Sequence, residues 1–443
     1  MKIFFSALIE RLRTSYWFIP TIMATGAAAL SFLTVHVDTL INAKWARTAG
    51  WVWAGGPEGA RNVLATIAGS TITVAGVVFS VTIVSLALAS SQFGPRLLRN
   101  FLDNRGTQLA LGAFVSTFLY CLLVLRTIRG TDTAATFVPF LSVTLGLIFA
   151  VISVGFLIFF IHHISTSILA ENVIGRVASE LLKSIDRLYP EEVGTGQKDT
   201  ESPGDRDLAK RAREEGQAII SKSSGYIHAI SMGDLFALAK EKDLVLRLSQ
   251  RPGNFVAKGA TLGWVLPREK TNEESIKHVQ SAYYFGRGRT PTQDIEYSID
   301  QLVEVAVRAL SPGTNDPFTA VTCIEWLGAA LIRVAGREIP SGWRHDEEHR
   351  LRIIAHATDF AGIAAAALNQ IRQYGSESVS VVLRMLEMLA RVGPHLRRES
   401  DRAVLREHAQ KVRDDGCAHV QNDRDREEIE ERFAAAEQAL KGS

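Results

Sequence analysis

Thr66-Ile67-Ala68-Gly69-Ser70-Thr71-Ile72-Thr73-Val74-Ala75-Gly76-Val77-Val78-Phe79-Ser80-Val81-Thr82-Ile83-Val84-Ser85-Leu86-Ala87-Leu88-Ala89-Ser90-Ser91 contains no Asp, Glu, Lys or Arg. A helix of this length crosses about 30 Å of hydrocarbon, since it rises about 1.5 Å per residue and satisfies its own backbone hydrogen bonds. A surface helix of a water-soluble protein would carry a charged face instead. Trp17 to Val35, Gln108 to Leu125 and Phe137 to Ile161 are uncharged in the same way, with Arg126 just beyond the second of them. The sequence therefore predicts an α-helical integral membrane protein with four transmembrane helices, all within residues 1–165.

The rest of the 443 residues reads differently. From Arg176 onward Arg, Lys, Asp and Glu recur every few positions, so one chain is written for two solvents. The net charge of +2 gives no overall field that would argue for nucleic acid as a partner. Cys121, Cys323 and Cys417 are odd in number and lack metal-ligand spacing, so neither a disulfide framework nor a zinc site is expected.

Lys2, Arg11 and Arg13 before the first apolar run resemble the start of a secretory signal, but the run is longer than a signal core and further spans follow. A membrane anchor is the expectation. Lys and Arg are denser in the amino-terminal segment, the Arg96–Arg105 loop and the Arg176–Arg187 stretch than in the two opposite loops. By the positive-inside tendency both termini then face the cytoplasm, in a cell (inner) membrane. Trp45, Trp51 and Trp53, ahead of Gly55-Gly56-Pro57, read as a short interfacial helix.

At helical spacing the second run presents Gly69, Thr73, Gly76, Ser80, Ile83, Ala87 and Ser90 as a stripe of small or hydroxylated side chains. Such a stripe either lets helix backbones approach closely or lines a narrow polar path through an oligomer. No ionisable residue lies within the four runs to mark a proton relay, which favours a passive conduit over an ion-driven transporter. His162 and His163, at the end of the fourth run, read as helix-end anchors or a pH gate.

Residues 166–189 predict an amphipathic connecting helix, with Ile174, Val177, Leu181, Ile185 and Leu188 on one side. That side packs on its own domain or joins neighbouring subunits. Residues 190–217 read as a linker and short helix, and 218–267 as a small β-containing module. Its Phe255-Val256-Ala257-Lys258-Gly259-Ala260-Thr261-Leu262 segment looks like half of a barrel-sandwich hybrid, the fold of biotinyl and lipoyl carriers, without a carrier lysine motif. Residues 268–443 are expected as a cytoplasmic domain, helical from Asp294 to the end. Ser311-Pro312-Gly313 stops one helix there, and Asn315 or Asp316 caps the next with Pro317 in its first turn.

The strings Ala68 to Ser80, Ser90-Ser91-Gln92-Phe93-Gly94-Pro95-Arg96-Leu97-Leu98 and Ala309-Leu310-Ser311-Pro312-Gly313-Thr314-Asn315-Asp316-Pro317-Phe318-Thr319-Ala320 resemble the bacterial predicted-membrane-protein family filed as domain of unknown function 2254. The resemblance runs over nearly the whole chain. It implies a multi-span membrane protein with a cytoplasmic carboxy-terminal region and no assigned activity or catalytic residue.

No phosphate loop, nucleophile elbow or His-Glu-x-x-His helix is present, so neither an enzyme nor a cofactor is expected. Arg287 and Arg289, on a glycine-flanked turn, are candidate anion contacts, or a basic turn pairing with Asp294 or Glu296. Arg96 and Arg99 are further candidates, for an anion at a pore mouth or for lipid headgroups. The expectation is a homo-oligomeric conduit for a small ion or ligand, with the lipid bilayer as its surroundings; a membrane-anchored sensor or scaffold is the alternative.

Overall fold

The computed structural model of the chain describes residues 17–40, 53, 55–97, 105–130, 136–189, 203–356 and 358–442. Lys2, Arg11, Arg13, Trp45, Trp51, Arg99 and residues 190–202 of the linker lie outside the described residues. The chain is mostly helical and divides into two units, Met1–Val173 and Ile174–Ser443.

Long apolar helices build the first unit: α1 (Phe18–Leu40), α2 (Pro57–Phe93), α3 (Arg105–Leu125) and α4 (Phe140–Ser167). Each overlaps one of the uncharged runs. Pro57 opens α2 because its missing N–H is one that no intrahelical carbonyl would meet, and Gly94, at φ 108°, with Pro95 behind it, stops the helix. α3 is the central element, packed on α1, α2 and α4. Half of its apolar stretch is buried, against 22% for each of the other three, which lie at the periphery. Ala60, Leu64, Tyr120, Cys121, Val124 and Val143 form one core cluster, and Ala75, Val78, Ala110, Phe114 and Phe160 a second. Gly146 sets the spacing of α4: a Cβ there would lie 2.9 Å from Leu64 Cδ2 and 3.5 Å from Cys121 Sγ.

Polar contacts tie these apolar helices together. The Asp38 carboxylate of α1 accepts the backbone N–H groups of Leu141 and Ser142, both at 2.9 Å, and the Ser142 hydroxyl at 2.6 Å. It thereby caps α4, whose own cap position, Pro139, offers no side-chain acceptor. Thr34 and Tyr120 share a hydrogen bond of 3.0 Å, and Thr117 and Ser153 another of 3.0 Å.

In the second unit the amphipathic helix is α5 (Ala170–Leu188). Ile174, Val177, Leu181 and Ile185 are at most 1% exposed, so the chain itself covers the stripe. The end of α5 is clamped by Arg333, which donates to both Asp186 oxygens at 2.8 Å, and by Arg337, which donates to the Tyr189 carbonyl at 2.6 Å. α6 (Pro203–Glu214) leads into the strands.

Strands β1 (Gln217–Ile220), β2 (Gly225–Ile230), β3 (Val245–Leu248), β4 (Phe255–Val256), β5 (Thr261–Leu266), β6 (Tyr283–Gly286), β7 (Trp343–His345) and β8 (Leu351–Ile354) form two sheets, ordered β1-β5-β3-β8-β7 and β4-β2-β6. All pairings are antiparallel except β3 with β8, where Leu246 faces Ile353. α7 (Met232–Glu241) and α8 (Glu273–Ser281) cover this core, whose centre holds Leu235, Leu244, Leu246, Leu262, Val265 and Ile353.

Two expectations are corrected here. The segment from Asp294 is not helical throughout, because β7 and β8 complete the larger sheet; both are short, and Leu351-Arg352-Ile353-Ile354 carries the β-branched residues that suit a pleated surface. Nor do the strands around Gly259 close half of a carrier barrel. β4, before that glycine, belongs to the three-stranded antiparallel sheet, and β5, after it, to the five-stranded mixed sheet.

Helices α9 (Ile295–Ala309), α10 (Pro317–Ala335), α11 (Phe360–Gly375), α12 (Val379–Val392), α13 (Glu399–His419) and α14 (Asp423–Lys441) complete the unit. By length and composition α10 is a fifth helix able to cross a membrane, beside α1 to α4. It packs on α9 and α12 with half of its apolar stretch buried.

Candidate functional site

The small-residue stripe belongs to the face of α2 that the other described residues leave uncovered. Leu64, Ile67, Thr71, Ala75, Val78, Ser85 and Ala89 are the buried side of this helix, turned towards α3 and α4. Gly69, Thr73, Gly76, Ser80 and Ala87 are exposed and Ser90 partly so, on the opposite side at about 100° per residue. Among the described residues nothing lies within 4 Å of where a Cβ on Gly69 or Gly76 would be. Packing among the described residues therefore does not explain the stripe. Large apolar neighbours, Ile72, Val77, Phe79, Ile83, Val84 and Leu88, flank it and are exposed as well. The Thr73 hydroxyl is satisfied by the Gly69 carbonyl at 2.8 Å, whereas Ser80 makes no hydrogen bond among the described residues. At 37 residues α2 is about 55 Å long, well beyond the hydrocarbon thickness of about 30 Å.

The basic candidates are scattered. Arg96 is exposed on the turn after α2. Arg287 is exposed at the end of β6 without a side-chain partner among the described residues. Arg289 is committed to acids: its Nε and Nη2 reach the two Asp294 oxygens at 2.7 and 3.0 Å, and Nη1 reaches Asp300 at 2.5 Å. At the family-like string, Asn315 occupies the left-handed region at φ 47°, donating its N–H to the Ser311 carbonyl at 2.9 Å. Ser311 closes the turn by giving its hydroxyl to the Arg308 carbonyl at 2.6 Å, with Pro312 and Gly313 spanning its top. Asp316 is the cap, accepting the Thr319 N–H at 3.2 Å and its hydroxyl at 2.6 Å, and Pro317 is the first residue of α10.

A site that sequence reasoning missed lies in the second unit, at the carboxyl ends of the parallel pair β3 and β8. Such strand ends open a crevice, because the chain leaves the sheet there in diverging directions. A cleft of about 270 Å³ has a wall of Leu188, Tyr189, Ile230, Met232, Leu248 and Ile295. Its polar lining is Gln250, Arg251, Gln293, Ser341, Arg344, His356 and Thr358, with no Asp or Glu among the lining residues. Arg251 is held from behind: Nη2 meets both Glu296 oxygens at 2.9 Å, and Nη1 donates to the Thr358 hydroxyl at 2.5 Å. Arg344 on β7 is half-buried, and among the described residues its guanidinium has no partner. Burial, helped by the Glu296 charge, holds the Tyr189 phenol above its ordinary pKa, so it stays a donor to the Thr358 carbonyl at 3.0 Å. The only sequence signal was the Arg251-Pro252-Gly253-Asn254 turn; pairing it with residues about a hundred positions later required the sheet.

Helices with long apolar surfaces uncovered by their own chain, joined to a charged and folded second unit, define a membrane protein. The chain belongs to the family described as predicted membrane protein (DUF2254), whose model matches residues 13–391. Uncharacterized proteins of Mycobacterium bovis and Mycobacterium tuberculosis are each 32% identical to it over 398 residues, covering 87% of this chain and 73% of theirs. No solved structure matches.

Proposed function

We propose that the protein is a non-enzymatic, multi-pass protein of the inner membrane that works as a homo-oligomer. In this reading α1 to α4 are the four spans, both termini and the second unit are cytoplasmic, and copies of α2 surround a hydroxyl-lined path for a small ion or solute. The observation that carries it is the outward position of Gly69, Thr73, Gly76 and Ser80. A lipid-facing helix gains nothing from a groove of glycines bearing an unpartnered serine, whereas a second helix or a file of water does. Ion flux through liposomes holding the purified protein is the test. Flux above that of empty vesicles, lost on Ser80→Leu, is the expected result, and no flux under several salts would remove the conduit.

The second reading, a membrane-anchored sensor whose α2 face only packs copies together, is favoured by the cleft in the second unit. It predicts that Ser80→Leu dissociates the oligomer on a sizing column without changing any permeability.

A further inference from the structure

We infer that the cleft at the carboxyl ends of β3 and β8 binds a small organic anion: a ring-sized apolar body carrying one carboxylate or phosphate group. Three features of the cleft lead there, and none depends on the conduit.

The first is charge. Arg251, Arg344 and His356 line the cleft and no acid does. The Arg251 charge is balanced by Glu296, leaving Arg344 as a half-buried cation with no partner among the described residues. A half-buried guanidinium without a counter-charge gives up part of its hydration, and an anion of fitting shape offsets that loss through charge-assisted, often bidentate, hydrogen bonds.

The second is size and surface. The wall of Tyr189, Ile230, Met232, Leu248 and Ile295 is apolar, and the volume is about 270 Å³. An apolar cavity of about 150 Å³ holds benzene, so this cleft has room for a single ring with an anionic substituent. A bare inorganic ion would leave the wall uncovered, and a neutral ring would leave Arg344 unpaired.

The third is rigidity. Arg251 is fixed by Glu296 and Thr358, and Tyr189 by Thr358 and Arg337. On the β7–β8 side the backbones meet closely, since a Cβ on Gly342 would lie 2.2 Å from the Ala355 carbonyl oxygen. A preorganised cleft of this kind loses little entropy on binding. Leu188 and Tyr189, at the end of α5, form part of its wall, so a bound anion touches the terminus of that helix.

Calorimetric titration of the full chain in lipid nanodiscs tests this with benzoate, phenyl phosphate, inorganic phosphate, benzyl alcohol and decanoate. Benzoate or phenyl phosphate is expected to bind saturably, and benzyl alcohol and inorganic phosphate at least about tenfold more weakly. Arg344→Gln should weaken the aromatic anion at least about tenfold, Ala355→Phe should fill the cleft and abolish binding, and Arg391→Gln, exposed on α12 and outside the cleft, should change nothing. Absence of saturable binding by either aromatic anion, or wild-type affinity in both Arg344→Gln and Ala355→Phe, overturns the assignment. Tighter binding of decanoate than of benzoate also overturns it, by giving the cleft to a lipid-derived anion.

Discussion

Asp38 holds the start of α4 from a different helix, and its removal is the perturbation whose size the structure defines best. Asp38→Ala deletes acceptors for two backbone N–H groups at 2.9 Å and one hydroxyl at 2.6 Å. Hydrogen bonds to a charged group contribute about 1.5–3 kcal/mol each, whereas measured losses of a helix cap are about 0.5–2 kcal/mol in all, because water or a neighbouring group replaces part of what is lost. Asp38 is partly exposed, so the cap scale applies, at its upper end, because the N–H groups of Leu141 and Ser142 are left facing apolar helices. The expected loss is about 2 kcal/mol for Asp38→Ala and about half of that for Asp38→Asn, which keeps one acceptor. Reversible unfolding in mixed micelles at increasing dodecyl sulfate measures it, and amide exchange at Leu141 and Ser142 should accelerate in the same order. Ser142→Ala combined with Asp38→Ala should cost less than the sum of the two, since one hydrogen bond is shared. A loss below about 0.5 kcal/mol for Asp38→Ala, with exchange unchanged, would refute the cross-helix cap.

Gly146→Leu should destabilise the first unit by about 1–3 kcal/mol in the same assay, because even its Cβ would lie 2.9 Å from Leu64 Cδ2 between packed helices. Asn315→Gly should be nearly neutral and Asn315→Ala cost about 1 kcal/mol in thermal unfolding, since φ 47° suits only the former. His408, buried at 6% exposure in α13, has its pKa lowered by burial and, secondarily, by the Lys411 charge. The unfolded chain therefore takes up the proton first as pH falls through about 6.5, and stability declines below that pH. His408→Gln should flatten the dependence of the thermal midpoint on pH between about 7 and 5; an unchanged slope would show that another group sets it.

The apolar helices were legible because a long uncharged run has few other stable fates, and α1 to α4 overlap the four runs. Asp38 was not legible as a cap: it lies just past the apolar run, and its partners are a hundred residues away on α4. The stripe on α2 could be read from spacing, but whether its own bundle buried it depended on which side α3 and α4 approach. Ser311 to Pro317 left two candidates for the cap, and the left-handed backbone at Asn315 leaves Asp316 to do it. β7 and β8 escaped notice because three or four residues beside the polar Asp346–Arg350 turn give no periodicity to count. The cleft escaped for the same reason, since it exists only where β8 lies beside β3.

That parallel pair has a consequence for how the protein is made. Leu246 must wait for Ile353, so a nascent chain carries β3 with one open edge while about a hundred further residues emerge from the ribosome. Contacts so distant in sequence form slowly, and an open edge invites pairing with another chain. Fragments ending before Leu351 should therefore aggregate, and any shortened form meant for crystallisation has to keep the chain through Ile354.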